Sequence, residues 1–181
     1  MNDEQQDSLE VHVLETAISS FRSIKALGDG ALSQLYEDGV KWVPDNESNS
    51  IALIVKHIAG NMLSRWTDFL TSDGEKPNRN RDDEFVDDIK DLTHLKAIWE
   101  TGWSVLLHTL ESLQPEDLLR NVTIRSQDHT VIQAILRQIS HYGYHVGQIV
   151  YAAKAHKSAS WQTLSIAKGG SGKFNENMMQ K

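Results

Sequence analysis

Hydrophobic residues along the chain fall into four long runs spaced by threes and fours, with polar stretches between them. From Ser8 to about Tyr36 the run is Leu9, Val13, Ala17, Phe21, Ile24, Leu27 and Ala31, which is one face of a helix. Gly28 and Gly30 around Asp29 predict a bend near its C-terminal third. Asp38-Gly39 ends the segment, and Pro44-Asp45-Asn46-Glu47 makes a loop. Ser48-Asn49-Ser50 then supplies N-cap residues for a second helix, Ile51 to about Leu70. Its apolar stripe is Ile51, Ile54, Val55, Ile58, Met62, Trp66 and Phe69, and beside it runs a small or polar stripe with His57, Gly60, Asn61, Ser64 and Asp68. A third helix, Thr93 to Leu113, carries Leu95, Ile98, Trp99, Leu106 and Leu110, with Trp103 and His108 on neighbouring faces, and Pro115 stops it. Thr130 can cap the fourth, Val131 to about Ala155, whose seam includes Ile132, Ile135, Ile139, Tyr142, Val146 and Ile149. Between these last two, NVTIRSQDHT alternates like a lone extended piece or a hairpin.

At roughly 1.5 Å per residue each helix is about 30 Å or longer, and four such rods pack into one all-α domain, a four-helix bundle spanning residues 1–181. The connection at about 71–92 is long enough to run the length of the bundle and allow a parallel helix pair. It is rich in charge of both signs and reads first as a solvated loop, although Arg79, Arg81 and Glu84 could reach over the mouth of the bundle. The tail, about 156–181, predicts a short helical turn before its glycines. Its GGSGK stretch lacks the first glycine of a phosphate loop, at Ala167, and has Phe174 where Ser or Thr belongs, so a nucleotide site is rejected.

Composition narrows the chemistry. The absence of cysteine removes disulfides, thiolate zinc sites and cysteine nucleophiles. A formal net charge of -7 without a basic run argues against nucleic acid. The acidic, polar start MNDEQQDSLEVHV does not resemble a secretory signal, and no apolar run reaches the length of a membrane span. A cytoplasmic protein without nucleic-acid or membrane partners is the simplest expectation.

Two histidines four residues apart, His141 and His145, share one face of the fourth helix, the spacing at which two imidazoles can grip one metal ion. Ala134, Gln138, His141, His145 and Gln148 form a stripe beside the apolar seam. On spacing alone the pair also fits half-buried helix histidines hydrogen-bonded to Glu or Tyr. Considered alone, His57 reads first as a core histidine. If His57 faces the pair, three imidazoles leave at least one position open for water or substrate, the pattern of a catalytic site. Zinc, nickel, manganese and iron are all compatible with nitrogen donors.

The arrangement Asn49-Ser50-Ile51-Ala52, Lys56-His57-Ile58-Ala59-Gly60-Asn61 and, some eighty residues on, Arg137-Gln138, His141-Tyr142 and His145-Val146-Gly147-Gln148-Ile149 resembles the DinB/YfiT-like superfamily of metal-binding bundles. With Met62, Arg65-Trp66, Gly74-Glu75, Arg79-Asn80-Arg81 and Glu84-Phe85, it resembles an uncharacterised bacterial branch of DinB-like proteins. The resemblance implies a bundle of up-down-down-up order, often dimeric, with a divalent metal, zinc or nickel first and manganese or iron next, on His57, His141 and His145. Characterised relatives of that superfamily include thiol S-transferases using bacillithiol, mycothiol or glutathione, and a maleylpyruvate isomerase.

The leading expectation is therefore a metal-dependent transferase of a low-molecular-weight thiol. Asn61, Arg65, Gln138 and Tyr142 lie within one turn of a ligand and are expected to support the ligands or touch substrate. Arg79 and Arg81 are expected to bind a substrate carboxylate. A metal-dependent hydrolase is the second expectation, with Glu84 or Asp68 as its base. A non-catalytic, stress-related metal-binding interaction protein is the third. Trp42, Trp99, Trp103 and Trp161 suggest a homodimer interface, though plain core packing explains most of them equally well.

Overall fold

The computed structural model describes residues 8–180. Residues 1–7 of the acidic start, and Lys181 at the end of the expected domain, lie outside them. The described chain is mostly helical: α1 (Leu9–Leu32), α2 (Glu37–Lys41), α3 (Ile51–Trp66), α4 (Leu92–Ser112), a hairpin of β1 (Asn121–Ile124) and β2 (Gln127–Thr130), α5 (Val131–Lys157) and α6 (Ser171–Met179). Among the described residues, no helix is long and apolar enough to cross a membrane.

Each long helix starts on a side chain that accepts an otherwise unmatched backbone N–H. Ser8 accepts from Val11, Ser50 from Leu53 and Asp91 from His94. Thr130 accepts from Gln133, and the Gln133 side chain answers by accepting from the Thr130 N–H at 2.9 Å, a reciprocal cap. The apolar stripes meet at Phe21, Trp66, Trp99, Trp103 and Tyr142, all buried at the centre of the molecule. Phe21 meets the Trp66 ring edge-on with centroids 6.0 Å apart, and Trp99 meets Trp103 at 5.4 Å, geometries that suit aromatic quadrupoles. Trp99 and Trp103 are therefore core residues and not interface aromatics, while Trp42 and Trp161 are half-buried.

Helix α1 runs on through Gly28-Asp29-Gly30, so the two glycines make no clean break in it. The glycines serve packing: a Cβ on Gly28 would lie 2.5 Å from a ring carbon of Trp99, and the Trp99 indole N–H donates to Asp29 at 2.6 Å. Helix α1 packs along α5 and α3 along α4. The second pair comes close together at Gly102, where a Cβ would lie 2.9 Å from the Cα of Ala59.

The tail forms α6 after Gly169-Gly170, with Gly172 inside it, and only a short 3-10 turn, Ser158–Ser160, before them. The connection between α3 and α4 is docked at Asp73-Gly74 and at Glu84, while most of its residues from 77 to 91 are exposed as its charges suggest. Asp73 accepts from the backbone N–H groups of Arg125 and Ser126 at the hairpin turn, at 2.8 and 2.7 Å, and from that of Glu75. Gly74 N–H donates to the Thr123 carbonyl at 2.8 Å. The turn residues Arg125 and Ser126 both have positive φ, the geometry that continues the twist of a two-residue hairpin. Burial pushes the Asp73 carboxyl up, but the three backbone donors outweigh it and hold its pKa at about 2, from an ordinary 3.8.

Replacing Gly102 by Ala should overpack the α3/α4 contact and cost about 1–3 kcal/mol, read as a lower denaturant midpoint with an unchanged slope. Asp73 contributes stability above pH 3.8 that is lost as pH falls towards about 2. The difference in stability between wild type and Asp73→Ala should therefore shrink across that window in acid titrations followed by circular dichroism.

Candidate metal centre

Position 57 lies in the middle of α3, and positions 141 and 145 are one turn apart in the middle of α5. Regular helix on both sides fixes each backbone, so the site is built on rigid elements. One nitrogen from each of His57, His141 and His145 lies within 4.8 Å of the other two. His57 is 7% exposed, and the other two are half-buried. The ring centroids of His145 lie 4.9 Å from those of His57 and 4.7 Å from those of His141.

What holds the rings is as telling as where they sit. His57 Nδ1 pairs with Glu84 Oε2 at 2.9 Å, and Phe85 stacks on the same ring with centroids 5.2 Å apart. His145 Nδ1 pairs with Gln148 Oε1 at 2.9 Å. Each of these imidazoles has only Nε2 left to offer. A ring whose Nδ1 is committed to a carboxylate or amide oxygen is the arrangement that orients histidine ligands in metal sites. His141 Nδ1 is buried with no hydrogen-bond partner among the described residues, a cost that a bound ion can remove. The donor set and this orphaned nitrogen both fit a divalent ion.

The electrostatics agree. Burial first, then repulsion from His145, His57, Arg65 and Arg79, pushes the His141 pKa down to about 4. Burial also lowers that of His145, against the opposing pull of Gln148. Both rings are neutral at pH 7, the form that binds metal.

Glu84 sits on a 3-10 turn, Asp83–Phe85, and is folded back onto α3. Its carboxylate takes His57 on one side and both Nε and Nη2 of Arg79 on the other, at 2.7 and 2.9 Å. Burial raises its pKa, but the hydrogen bonds from His57 and Arg79 win and lower it overall. Gly60 lies directly beneath, and a Cβ there would collide with the Glu84 carboxylate. The expected carboxylate base is thus a histidine partner. Asp68, the other expected base, is exposed beyond the end of α3.

The remaining expected residues divide by contact. Asn61 Oδ1 accepts from Gln138 Nε2 at 3.1 Å and from the Tyr142 hydroxyl at 2.9 Å, and Tyr142 accepts from the Trp66 indole N–H at 3.1 Å. Tyr142 is wholly buried and braces α3 against α5 without a surface for substrate; burial pushes its pKa up. The Arg79 side chain is buried and clamped by Glu84 and Glu75, so it is not free to seize a carboxylate alone. Arg81 is exposed, and Arg65 is buried beside Gly74. Sequence reasoning gave no role to Gln148, although it lies in the same helical stripe as the histidines. Arg137, one turn before His141, had the same signal, whereas nothing local marks Arg125 on the hairpin turn.

Glu84→Ala should leave His57 and buried Arg79 without their shared partner and cost about 3 kcal/mol at neutral pH. Because the folded-state pKa of Glu84 is depressed, wild type loses this contribution as pH falls below 4.5, and the gap to the variant should narrow in acid urea titrations.

A family model described as "Protein of unknown function (DUF1572)" matches residues 8–170, which contain the histidine cluster and all that supports it. No curated protein matches the chain.

Proposed function

The chain belongs to the DUF1572 family, and on that premise we propose that it is a divalent-metal-dependent enzyme of the DinB-like type that transfers a low-molecular-weight thiol to an electrophile. The observation that carries this reading is the convergence of His57, His141 and His145, a group that ends at three donors among the described residues. Three neutral nitrogens with a further position open are what a catalytic ion needs. The four long helices then form the up-down-down-up bundle of the DinB/YfiT-like proteins, supported by the pairing of α1 with α5 and α3 with α4.

His57, His141 and His145 would hold a divalent ion, zinc or nickel first and manganese or iron next, and that ion would supply Lewis acidity that favours the thiolate form of a thiol at neutral pH. Glu84 and Gln148 fix the rings of His57 and His145. Burial keeps His141 and His145 free of protons that would compete with binding. In the transfer the thiol gives its proton to solvent, sulfur forms the new bond, and the leaving group departs with the electron pair.

Hydrolysis draws less support, since it needs a free carboxylate base and Glu84 is engaged on both oxygens. A non-catalytic, stress-related metal-binding role predicts that the ion holds the bundle together, whereas the aromatic core closes without the histidines. We propose in addition, on the resemblance and the composition, a cytoplasmic homodimer whose interface would draw on Trp42 and Trp161.

Elemental analysis of protein purified without chelator or nickel resin should find about one first-row metal per chain, absent from His57→Ala and His141→Ala. Glu84→Gln should bind the ion about 10–100-fold more weakly. Thiol-dependent turnover of electrophiles should follow metal content. No metal uptake by wild type from zinc, nickel or manganese would sink the proposal, and a collapse of the melting temperature on chelation would favour the structural role.

A further inference from the structure

A cavity of about 160 Å³ opens beside the histidines, lined by Arg65, Arg79, Arg81, Arg125 and Arg137, with His57 and His141 in the same wall. Five guanidinium groups converge there in a chain whose formal net charge is -7. Among the described residues only two carboxylates answer them. Glu84 is taken up by Arg79, and Glu75 is shared by Arg79 and Arg125 at 3.3 and 3.2 Å, with Arg65 at 4.0 Å. Arg81 and Arg137 form no ion pair among the described residues. Arg65 is 2% exposed, and its Nε and Nη1 have no hydrogen-bond partner among those residues.

A buried guanidinium left so incompletely paired is costly, and an anion in reach removes that cost. We propose that this cavity binds the anionic group, a carboxylate or a phosphate, of the small molecule that reacts at the three-histidine site. The inference rests on the metal-site reading and gives its substrate class. Planar guanidinium forks match both anions with paired N–H donors. The volume suits one such group and falls short of the roughly 300–1,000 Å³ that encloses a whole drug-sized ligand. The reacting end of the molecule must therefore lie outside it, and the shared wall directs that end towards His57 and His141. Arg65 supplies the buried contact. Arg81 and Arg137, both exposed, stand at the mouth and draw anions in. Arg79, held by Glu84, carries the coupling between the cavity and the His57 ring.

The test is calorimetric titration of inorganic phosphate, and of malonate in parallel, into the chelator-stripped full chain at constant ionic strength. Binding near one per chain is expected for at least one of the two. The Arg81→Ala/Arg137→Ala double variant should weaken it ten-fold or more. Arg22→Ala, at a surface arginine paired with Glu111, should leave it unchanged. Arg65→Lys, checked for folding by circular dichroism, should weaken it as well by losing the fork. No binding of either anion by wild type, no effect of the double variant, or an equal loss in Arg22→Ala would overturn the proposal. Because metal is absent from the titration, the two readings fail separately. Anion binding by a chain that takes up no metal keeps the anion site and removes the metal centre; metal uptake without anion binding removes the cavity alone.

Discussion

One carboxylate, Glu84, ties the candidate site together. It lies buried between an imidazole and a guanidinium and gives each an oxygen. A carboxylate removed from water is stable only when its lone pairs are met. His57 and Arg79 meet them, and in doing so each is fixed in turn. The His57 ring then has one defined nitrogen to present, and Arg79 is held at the edge of the cavity. The absence of a side chain at Gly60 is what lets the carboxylate approach α3 so closely.

That contact is possible only because the connection between α3 and α4 is pinned at its other end. Asp73 clasps the hairpin turn through backbone donors, and the Ser64 hydroxyl donates to the Gly74 carbonyl while accepting from the Lys76 N–H. Asp73, Glu75, Arg79 and Glu84 in this stretch thus satisfy one another and the backbone, while Arg81 and most of the residues after it stay exposed to water. The hairpin, for its part, runs directly into α5 through the reciprocal cap at Thr130. The same chain of contacts sets the Arg125 side chain, the start of α5 and the position of Glu84.

The two helices that bear the histidines are locked by a polar thread through the core. Trp66 donates to Tyr142, Tyr142 to Asn61, and Gln138 also donates to Asn61. Every member is buried, and a buried polar chain of this kind fixes one arrangement because slipping either helix would leave donors unmet. Rigidity here serves the site: three rings can share an ion only if α3 and α5 keep their register. Asn61, Gln138 and Tyr142, whose spacing marked them as supports for the ligands or contacts for substrate, form this thread.

Period and capping are local properties, and they fixed much of the structure from the sequence. The four long helices, the cap at Thr130, the hairpin and the shared face of His141 and His145 follow from spacing along the chain. The pairing of His57 with them was expected from resemblance, and the geometry brings the three together. What the glycines of α1 are for was not local: the space above Gly28 is filled by a distant Trp99. That Arg79, Arg81 and Glu84 could reach the mouth of the bundle was legible, but their partners were not, because a carboxylate or guanidinium carries no periodic signal and its state depends on which partner it meets. Glu84 read as a base became a histidine partner, and Arg79 read as a substrate ligand became a clamp. Five arginines scattered between positions 65 and 137 became one cationic cavity in an acidic protein. Helices are encoded by neighbours a few residues apart, whereas burial and charge pairing join residues far apart in the chain, and only the folded structure says which.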